Sequence, residues 1–341
     1  MSFRPFKRDS VSLIGEDPNS LRRKGSKVRK LILALFIGLE VLILSYVGIS
    51  LFVATQMAYA QPKAITENPA DLGLNYRDVS FPSRQDHLLL RGWFMPGVLP
   101  DGQLTTERTI IMVHGLHSNR EALEGGLLKL SAALVHKGFA ILVFDFRGHG
   151  QSAPAPLSMG YFEQRDVLGA VDFLRSGPLP YPELGRPRAI GGWGISMGGA
   201  TMLLAAAHEP AIRGVVADSA YAAFVPLLER NALMPGAIIP GVLFAMQLLY
   251  GINYDAVRPV DAVASIAPRP LFFIEGTSDR LVPPWNMNVL AGAAEAAPGA
   301  QVQTWLVPGA NHIQSYDVMG NVYVKRIVAF FTNALGPATQ R

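Results

Sequence analysis

Residues 194–198 read Gly-Ile-Ser-Met-Gly, a serine between two glycines at the point where a short apolar run gives way to a helix-forming stretch, residues 200–208. The order of an apolar run and a helix predicts a strand that turns abruptly into a helix. In such a turn a side chain at Gly194 or Gly198 would collide with the neighbouring strand or helix. The pattern favours an exposed, strained Ser196 that acts as a nucleophile, although a glycine-rich turn in which Ser196 only caps the helix fits the same residues.

A serine hydroxyl is a poor nucleophile unless a base takes its proton and a carboxylate orients that base. Asp279 and His312 are candidates for these two roles, because each follows an apolar run that is typical of a buried strand. A parallel sheet gathers its functional groups at such strand ends. Asp218 is a rival for the acid, since it also ends a predicted strand between Ser196 and His312. We favour Asp279.

The elements that must position these residues alternate between strand and helix. The predicted strands cover residues 109–113, 139–144, 214–217, 271–274 and 302–307. The predicted helices between and after them cover residues 120–137, 161–175, 200–208 and 318–335. Ahead of them, residues 77–81 and 88–95 are typical of a hairpin. This order predicts an α/β fold with a mostly parallel central sheet flanked by helices.

The alternation stops between residues 220 and 265, which hold several prolines and glycines and an apolar helix candidate at residues 242–250. We interpret this segment as a small cap inserted into the sheet domain. An ordinary long crossover connection is the alternative.

With the order Ser196, Asp279, His312 in place, residues 76–335 resemble an α/β-hydrolase, and within that superfamily they are similar to the serine-aminopeptidase-like and prolyl-oligopeptidase-like group. The resemblance implies the α/β-hydrolase fold for this domain. It also implies that Ser196 is the nucleophile, Asp279 the orienting acid and His312 the general base, and that the enzyme is a serine hydrolase.

The same resemblance assigns roles to two further stretches. His114-Gly115-Leu116 matches the loop after the third strand, which implies that the backbone N–H of Leu116 forms an oxyanion hole with that of Met197. Residues 145–152 match the Asp-x-Arg-Gly-x-Gly-x-Ser loop that is common in the group, and we expect that loop to be structural.

These assignments predict cleavage of an ester or thioester through an acyl-enzyme on Ser196. The apolar cap favours a small-molecule acyl substrate of apolar character. A serine peptidase of the aminopeptidase-like type, acting on small peptides, is one alternative. A catalytically inactive binding protein that keeps the α/β-hydrolase fold is another.

No cofactor, metal or nucleic-acid partner is expected from the sequence. The chain has no Cys, no His-Glu-x-x-His motif and no phosphate-binding loop of the Gly-x-x-x-x-Gly-Lys type. The net charge of +4 is concentrated in residues 1–30, which hold nine Lys and Arg against three Asp and Glu. The remainder is nearly neutral and suggests no basic surface for nucleic acid.

Residues 31–53 form an apolar run with Glu40 as the single charged residue, and a helix of this length is about 34 Å long, enough to cross a bilayer. We therefore predict a transmembrane anchor at residues 31–53, with residues 54–75 as a linker.

The basic cluster directly before the span predicts the orientation. Because positively charged flanks stay inside, residues 1–30 are expected to form a cytoplasmic tail and the hydrolase domain to be extracytoplasmic, in a single-pass membrane protein. The alternative is a secreted enzyme released by cleavage near Ala60, since Ala58-Tyr59-Ala60 resembles a signal-peptidase site.

Overall fold

The computed structural model describes residues 18–61, 63–231 and 234–337. Most of the predicted basic tail, residues 1–17, lies outside the described residues. The chain divides into two compact units, residues 1–50 and 51–341.

The described part of the first unit is a single helix, α1, which spans Pro18–Met57 and ends in the second unit. It extends beyond the predicted span 31–53 at both ends, because the flanking residues include helix-forming Lys, Arg, Ala and Gln, and the proline, Pro18, is the first residue of the helix, where it is tolerated. Its portion Ser26–Met57 is long and apolar enough to cross a membrane, by length and composition.

The described residues of the second unit form ten strands. They are β1 Arg77–Pro82, β2 Leu89–Met95, β3 Gly97–Val98, β4 Leu104–Thr105, β5 Arg108–Val113, β6 Ala140–Phe144, β7 Ala189–Ile195, β8 Ile212–Asp218, β9 Leu271–Gly276 and β10 Val302–Val307. Eight of them form one sheet in the order β1-β2-β6-β5-β7-β8-β9-β10, and β3 and β4 form a separate pair. β2 is antiparallel to β1 and β6, and all other neighbours are parallel, which confirms the predicted hairpin and mostly parallel sheet.

Helices cover both faces of this sheet. They are α2 Leu127–Val135, α3 Gln164–Ser176, α4 Met197–His208, α5 Phe224–Arg230, α6 Ile239–Tyr250, α7 Pro259–Ala262, α8 Trp285–Glu295, α9 Ser315–Met319 and α10 Asn321–Leu335. Strand β5 shows how the two cores arise: Ile111 and Val113 join the core beneath α3, α4 and α8, whereas Ile110 and Met112 join the core beneath α2 and α10. A strand buried on both faces reads as a continuous apolar run, which is why it was recognisable in the sequence.

The segment between β8 and β9, predicted as a cap at residues 220–265, contains α5, α6 and α7. Helix α6 begins at Ile239 rather than at 242, because Pro240 occupies a first-turn position where its missing N–H costs nothing.

Two predicted helices were too long. Of residues 120–137, only Leu127–Val135 is α-helical, because the side chain of Asn119 accepts from the next N–H groups and Gly125 and Gly126 adopt φ of 80° and 67°. The predicted last helix, residues 318–335, is broken at Gly320, whose φ of 46° ends α9 and precedes α10.

The predicted linker, residues 54–75, is instead packed onto the domain. Its first four residues complete α1, Ala54 and Ala58 are fully buried, and the N–H of Leu157 donates to the Ala58 carbonyl at 2.7 Å. Further along, the Glu121 carboxylate accepts from the N–H and hydroxyl of Thr66 at 2.9 and 2.6 Å. These partners are far away in sequence, so a local pattern rich in proline suggested a free connection where there is none.

Candidate active site

Ser196 lies in a strained turn between β7 and α4. Its φ of 55° and ψ of −122° place it in a region that residues other than glycine rarely adopt. The turn is tight on both sides: a Cβ on Gly194 would lie 2.4 Å from the Gly198 carbonyl oxygen, and a Cβ on Gly198 would lie 2.4 Å from that of His114. Both glycines are therefore required, as their spacing predicts, and the turn projects Ser196 above the sheet.

His312 follows β10 and lies between Ser196 and Asp279. Its Nε2 is 2.9 Å from the Ser196 Oγ, and its Nδ1 is 2.7 Å from one carboxylate oxygen of Asp279. The other Asp279 oxygen accepts from the N–H groups of Leu281 and Val282 at 2.9 and 2.8 Å. Asp279 is buried with a partner on each oxygen, so its orientation toward the imidazole is fixed.

The rival acid, Asp218, is directed away from the imidazole. One of its oxygens accepts from the hydroxyls of Ser219 and Ser315 at 3.0 and 3.2 Å, and the other from Tyr323 at 2.8 Å. Burial raises its pKa to about 6. The Ser219 hydroxyl also accepts from the N–H of Ile313, the residue after His312, at 3.2 Å. Asp218 therefore supports the histidine loop through Ser219.

No sequence pattern indicated this support. Ser219 and Tyr323 belong to no motif. The residues that these contacts join, Ser219 with Ile313 and Asp218 with Tyr323, are 94 and 105 positions apart in the sequence and meet only in the folded protein. The φ of 54° at Ser219 and 59° at Ile313 shows that both turns are held in an unfavourable conformation by their surroundings.

The loop after β5 contacts the nucleophile. A Cβ on Gly115 would lie 3.3 Å from that of Ser196, so the chain of this loop passes directly against the serine. Leu116 lines the cavity above Ser196. Met197 is the first residue of α4, where a backbone N–H has no acceptor within the helix. Both predicted oxyanion-hole residues thus flank Ser196.

His114 stabilises the loop after β5 through two hydrogen bonds to the backbone. Its Nε2 accepts from the N–H of Phe146 at 3.1 Å, so its Nδ1 carries the proton and donates to the Gly115 carbonyl at 2.7 Å. Burial lowers the pKa of His114 well below its usual range, which keeps the ring neutral in this arrangement.

The loop at residues 145–152 is joined to the loop after β5 by an ion pair. Asp145 is fully buried and accepts from the backbone N–H of Arg120 at 2.6 Å as well as from its guanidinium. In the same loop Arg147 pairs with Asp166 at 2.7 Å. These contacts give the loop the structural role that was expected of it.

A second buried carboxyl, Glu275, ends β9 close to Asp279 and was not considered in the sequence. Burial, then the charge of Asp279 and a hydrogen bond with it, raise the pKa of Glu275 to about 11. Glu275 is therefore a neutral acid at physiological pH, beside a carboxylate that stays available to His312.

A cavity of about 520 Å³ opens above Ser196 and His312. Its walls are mainly apolar and aromatic, and include Leu116, Leu157, Met159, Ile195, Tyr221, Phe224, Leu227, Leu228, Tyr254, Leu281, Val282 and Ile313. The exposed residues Gln56, Tyr59 and Gln61, from the end of α1 and the segment after it, form part of its rim. A volume of this size suits a small-molecule ligand.

His117, in the loop after β5, forms a hydrogen bond with that rim. Its Nδ1 lies 3.3 Å from the N–H of Gln61 and accepts from it, and burial lowers the pKa of the ring, which keeps it neutral. Nearby, Lys63 and Glu124 form an exposed ion pair at 3.2 Å. Among the described residues no group of three or more His, Asp or Glu could hold a metal ion.

Comparison with known proteins identifies the fold. Residues 108–241 match the family model of the α/β-hydrolase fold. An esterase from Pyrococcus furiosus, Pf2001, superimposes with a TM-score of 0.65 and 25% sequence identity, over 82% of this chain and 100% of the esterase. The chain has the α/β-hydrolase fold.

Two further relatives of this α/β-hydrolase extend the comparison. The uncharacterised protein YfhR from Escherichia coli K12 is 28% identical over 257 residues, covering 74% of this chain and 80% of YfhR. The acylaminoacyl peptidase of Pyrococcus horikoshii shares the fold, with a TM-score of 0.56 and 18% identity over 81% of this chain and 45% of the peptidase. The fold and the likeness to the Pf2001 esterase support a hydrolase.

Proposed function

We propose that this α/β-hydrolase is a membrane-anchored serine hydrolase that cleaves an ester or thioester of an apolar acid. The observation that carries the proposal is the continuous hydrogen-bonded chain Ser196–His312–Asp279 at the base of an apolar cavity. A hydroxyl, an imidazole and a buried carboxylate in this order form the arrangement that activates serine as a nucleophile.

The proposed reaction has two halves. His312 Nε2 takes the Ser196 proton while Oγ attacks the substrate carbonyl, and the N–H groups of Leu116 and Met197 bind the resulting oxyanion. His312 then returns the proton to the departing alcohol or thiol, which leaves an acyl-enzyme. A water molecule, deprotonated by His312, attacks the acyl carbon, and Ser196 leaves with the proton, which releases the carboxylic acid and restores the enzyme.

Asp279 contributes orientation and charge. Because one of its oxygens is held by two backbone N–H groups, the other is directed at Nδ1, which fixes the tautomer that leaves Nε2 free to accept the serine proton. The same carboxylate stabilises the imidazolium that forms in each half-reaction.

Retention of the anchor is supported by packing. Cleavage after Ala60 would remove the buried Ala54 and Ala58, the hydrogen bond from Leu157 to Ala58, and the rim residues Gln56 and Tyr59. A signal peptide is discarded without loss to the mature fold, whereas this segment is part of the domain. N-terminal sequencing of the membrane-bound protein should therefore find no mature chain that begins at Gln61.

Activity-based labelling tests the assignment of the nucleophile. A fluorophosphonate should label the full-length protein and fail to label Ser196→Ala. Ser118→Ala is the matched control, since Ser118 lines the same cavity but makes no contact with His312, and its labelling should be unchanged. Labelling that persists in Ser196→Ala would refute the proposal.

A substrate panel tests the reaction class. We expect turnover of p-nitrophenyl esters, with a preference for acyl chains long enough to fill the apolar cavity. Faster cleavage of aminoacyl p-nitroanilides would indicate a peptidase instead. A folded protein with neither turnover nor labelling would indicate a binding protein.

A further inference from the structure

Helix α6, Ile239–Tyr250, lies in a long uncharged segment of the cap. Residues 231–254 contain no Asp, Glu, Lys, Arg or His. One side of α6 is buried in the domain through Ile239, Val242, Ala245 and Met246. The opposite side exposes 67% of Phe244 and 66% of Leu248. A helix that faces water normally carries charged residues there, so an apolar exposed side indicates another environment.

The end of α6 lies beside the end of the apolar helix α1. The rings of Tyr250 and Tyr59 contact each other edge to face, with centroids 6.2 Å apart. Tyr59 follows the last residue of α1, Met57, by two positions. Tyrosines concentrate where a membrane-crossing segment meets water. A helix of twelve residues is about 18 Å long, so every residue of α6 lies within about 18 Å of Tyr250, whose ring contacts Tyr59.

The cavity above Ser196 shares this location. Met57 and Tyr59 line it from one side, and the cap supplies Phe224, Leu227 and Leu228 on another. Part of its rim is therefore formed by the last residues of the membrane-crossing helix and by those that directly follow it.

We propose that the exposed side of α6, formed by Phe244 and Leu248, inserts into the surface of the same bilayer that α1 crosses, and that the cavity is filled from that surface by a membrane-resident acyl lipid. The proposal rests on the anchored serine hydrolase proposed above and specifies its substrate class. The helix acts as a second, interfacial contact that holds the rim of the cavity at the lipid surface. An acyl chain can then pass from bilayer to cavity without crossing water.

Site-directed fluorescence tests the membrane contact directly. Because the chain has no Cys, Leu248→Cys provides a single attachment site for an environment-sensitive fluorophore such as a nitrobenzoxadiazole. Val322→Cys is the matched control, since Val322 is also an apolar helix residue with 50% of its surface exposed, on α10. Both full-length proteins are reconstituted, one copy per disc, into nanodiscs of phosphatidylcholine and phosphatidylglycerol.

We expect the probe at position 248 to emit at shorter wavelength than the probe at 322 and to be quenched by spin-labelled lipid. Equal, water-like emission from both positions would overturn the proposal. A shift at 248 that appears only in discs with two copies would also overturn it, because it would identify a second copy of the chain as the partner of this surface.

Turnover tests the route of the substrate. In the same nanodiscs, Phe244→Ser combined with Leu248→Ser should reduce hydrolysis of an embedded long-chain acylglycerol by about tenfold or more, because two apolar side chains no longer hold the rim in lipid. Hydrolysis of p-nitrophenyl acetate and fluorophosphonate labelling should change less than about twofold, since neither residue lines the cavity. Val322→Ser should affect neither substrate. An equal loss on both substrates would refute the lipid route.

The two proposals fail in different ways. If Ser196 is not the nucleophile, either labelling persists in Ser196→Ala or labelling and turnover are absent in every variant, while in both cases the fluorophore at position 248 still reports on the bilayer. If only the inference about α6 is wrong, labelling and soluble-ester turnover persist and the fluorophore reports water.

Discussion

Substitution of Tyr323 by Phe would break two buried hydrogen bonds at once. The Tyr323 hydroxyl accepts from the indole N–H of Trp193 at 3.1 Å and donates to Asp218 at 2.8 Å, and Trp193 and Tyr323 are fully buried. Removing the oxygen leaves the indole N–H without a partner and takes from Asp218 a hydrogen bond that favours its charged form.

The expected loss depends on pH. An unpaired buried N–H costs about 1–3 kcal/mol and a lost hydrogen bond to a charged group about 1.5–3 kcal/mol, so Tyr323→Phe should lose roughly 3–5 kcal/mol of unfolding free energy at pH 8. The pKa of Asp218 is about 6 in the folded state and 3.8 in the unfolded state. The stability that its protonation contributes is therefore fully present below about pH 4 and is lost as the pH rises through 6. At pH 5 the variant should lose only about 1–3 kcal/mol, because the carboxyl is then protonated.

Thermal unfolding of the full-length protein at pH 5 and pH 8 measures this difference. At about 2 °C per kcal/mol for a domain of this size, the melting temperature should fall by roughly 6–10 °C at pH 8 and less at pH 5. Tyr221→Phe is the matched control: its buried hydroxyl donates to the neutral Met159 carbonyl at 2.6 Å, and its loss should cost about 1 kcal/mol at either pH. An equal, pH-independent loss in the two variants would refute the reasoning.

Three further substitutions test the site. Gly198→Ala should abolish fluorophosphonate labelling and lower the melting temperature, because its Cβ would lie 2.4 Å from the backbone oxygen of His114. The control Gly292→Ala, on α8 with open space around it, should leave labelling and melting temperature intact. Normal labelling of Gly198→Ala would contradict this. Asp279→Asn should lower kcat about 10³–10⁴-fold in steady-state assays, because the amide would favour the wrong tautomer of the His312 imidazole. A change confined to KM would argue against an orienting role of Asp279. Glu275→Gln should change the free energy of unfolding, measured by denaturation, by less than about 1 kcal/mol, because a carboxyl whose pKa is about 11 is already neutral. A shifted pH–rate profile in this variant would show that Glu275 is charged.

The sequence predicted those parts of the fold and of the site that produce a recognisable local pattern. Strands buried on both faces appear as unbroken apolar runs, and the two glycines around Ser196 mark a turn that admits no side chain. Asp279 and His312 were found because parallel strands deliver their following residues to one edge of the sheet.

What the sequence could not provide depends on distant partners. The support of the histidine loop by Asp218, Ser219 and Tyr323 requires three segments that meet only in the fold. Similarly, the helix predicted at residues 120–137 was shortened by Asn119 and by two glycines whose backbone conformation the composition does not reveal.

The packing of residues 51–61 bears on how separable the parts of this protein are. An anchor that serves only as a tether can be exchanged for any other apolar helix. Here Ala54, in the last turns of α1, and Ala58, just beyond the helix, are both buried. Met57 and Tyr59 line the cavity. A chimera that replaces the apolar helix should therefore make its junction before Leu51, because a junction at the first strand would exchange part of the cavity together with the helix.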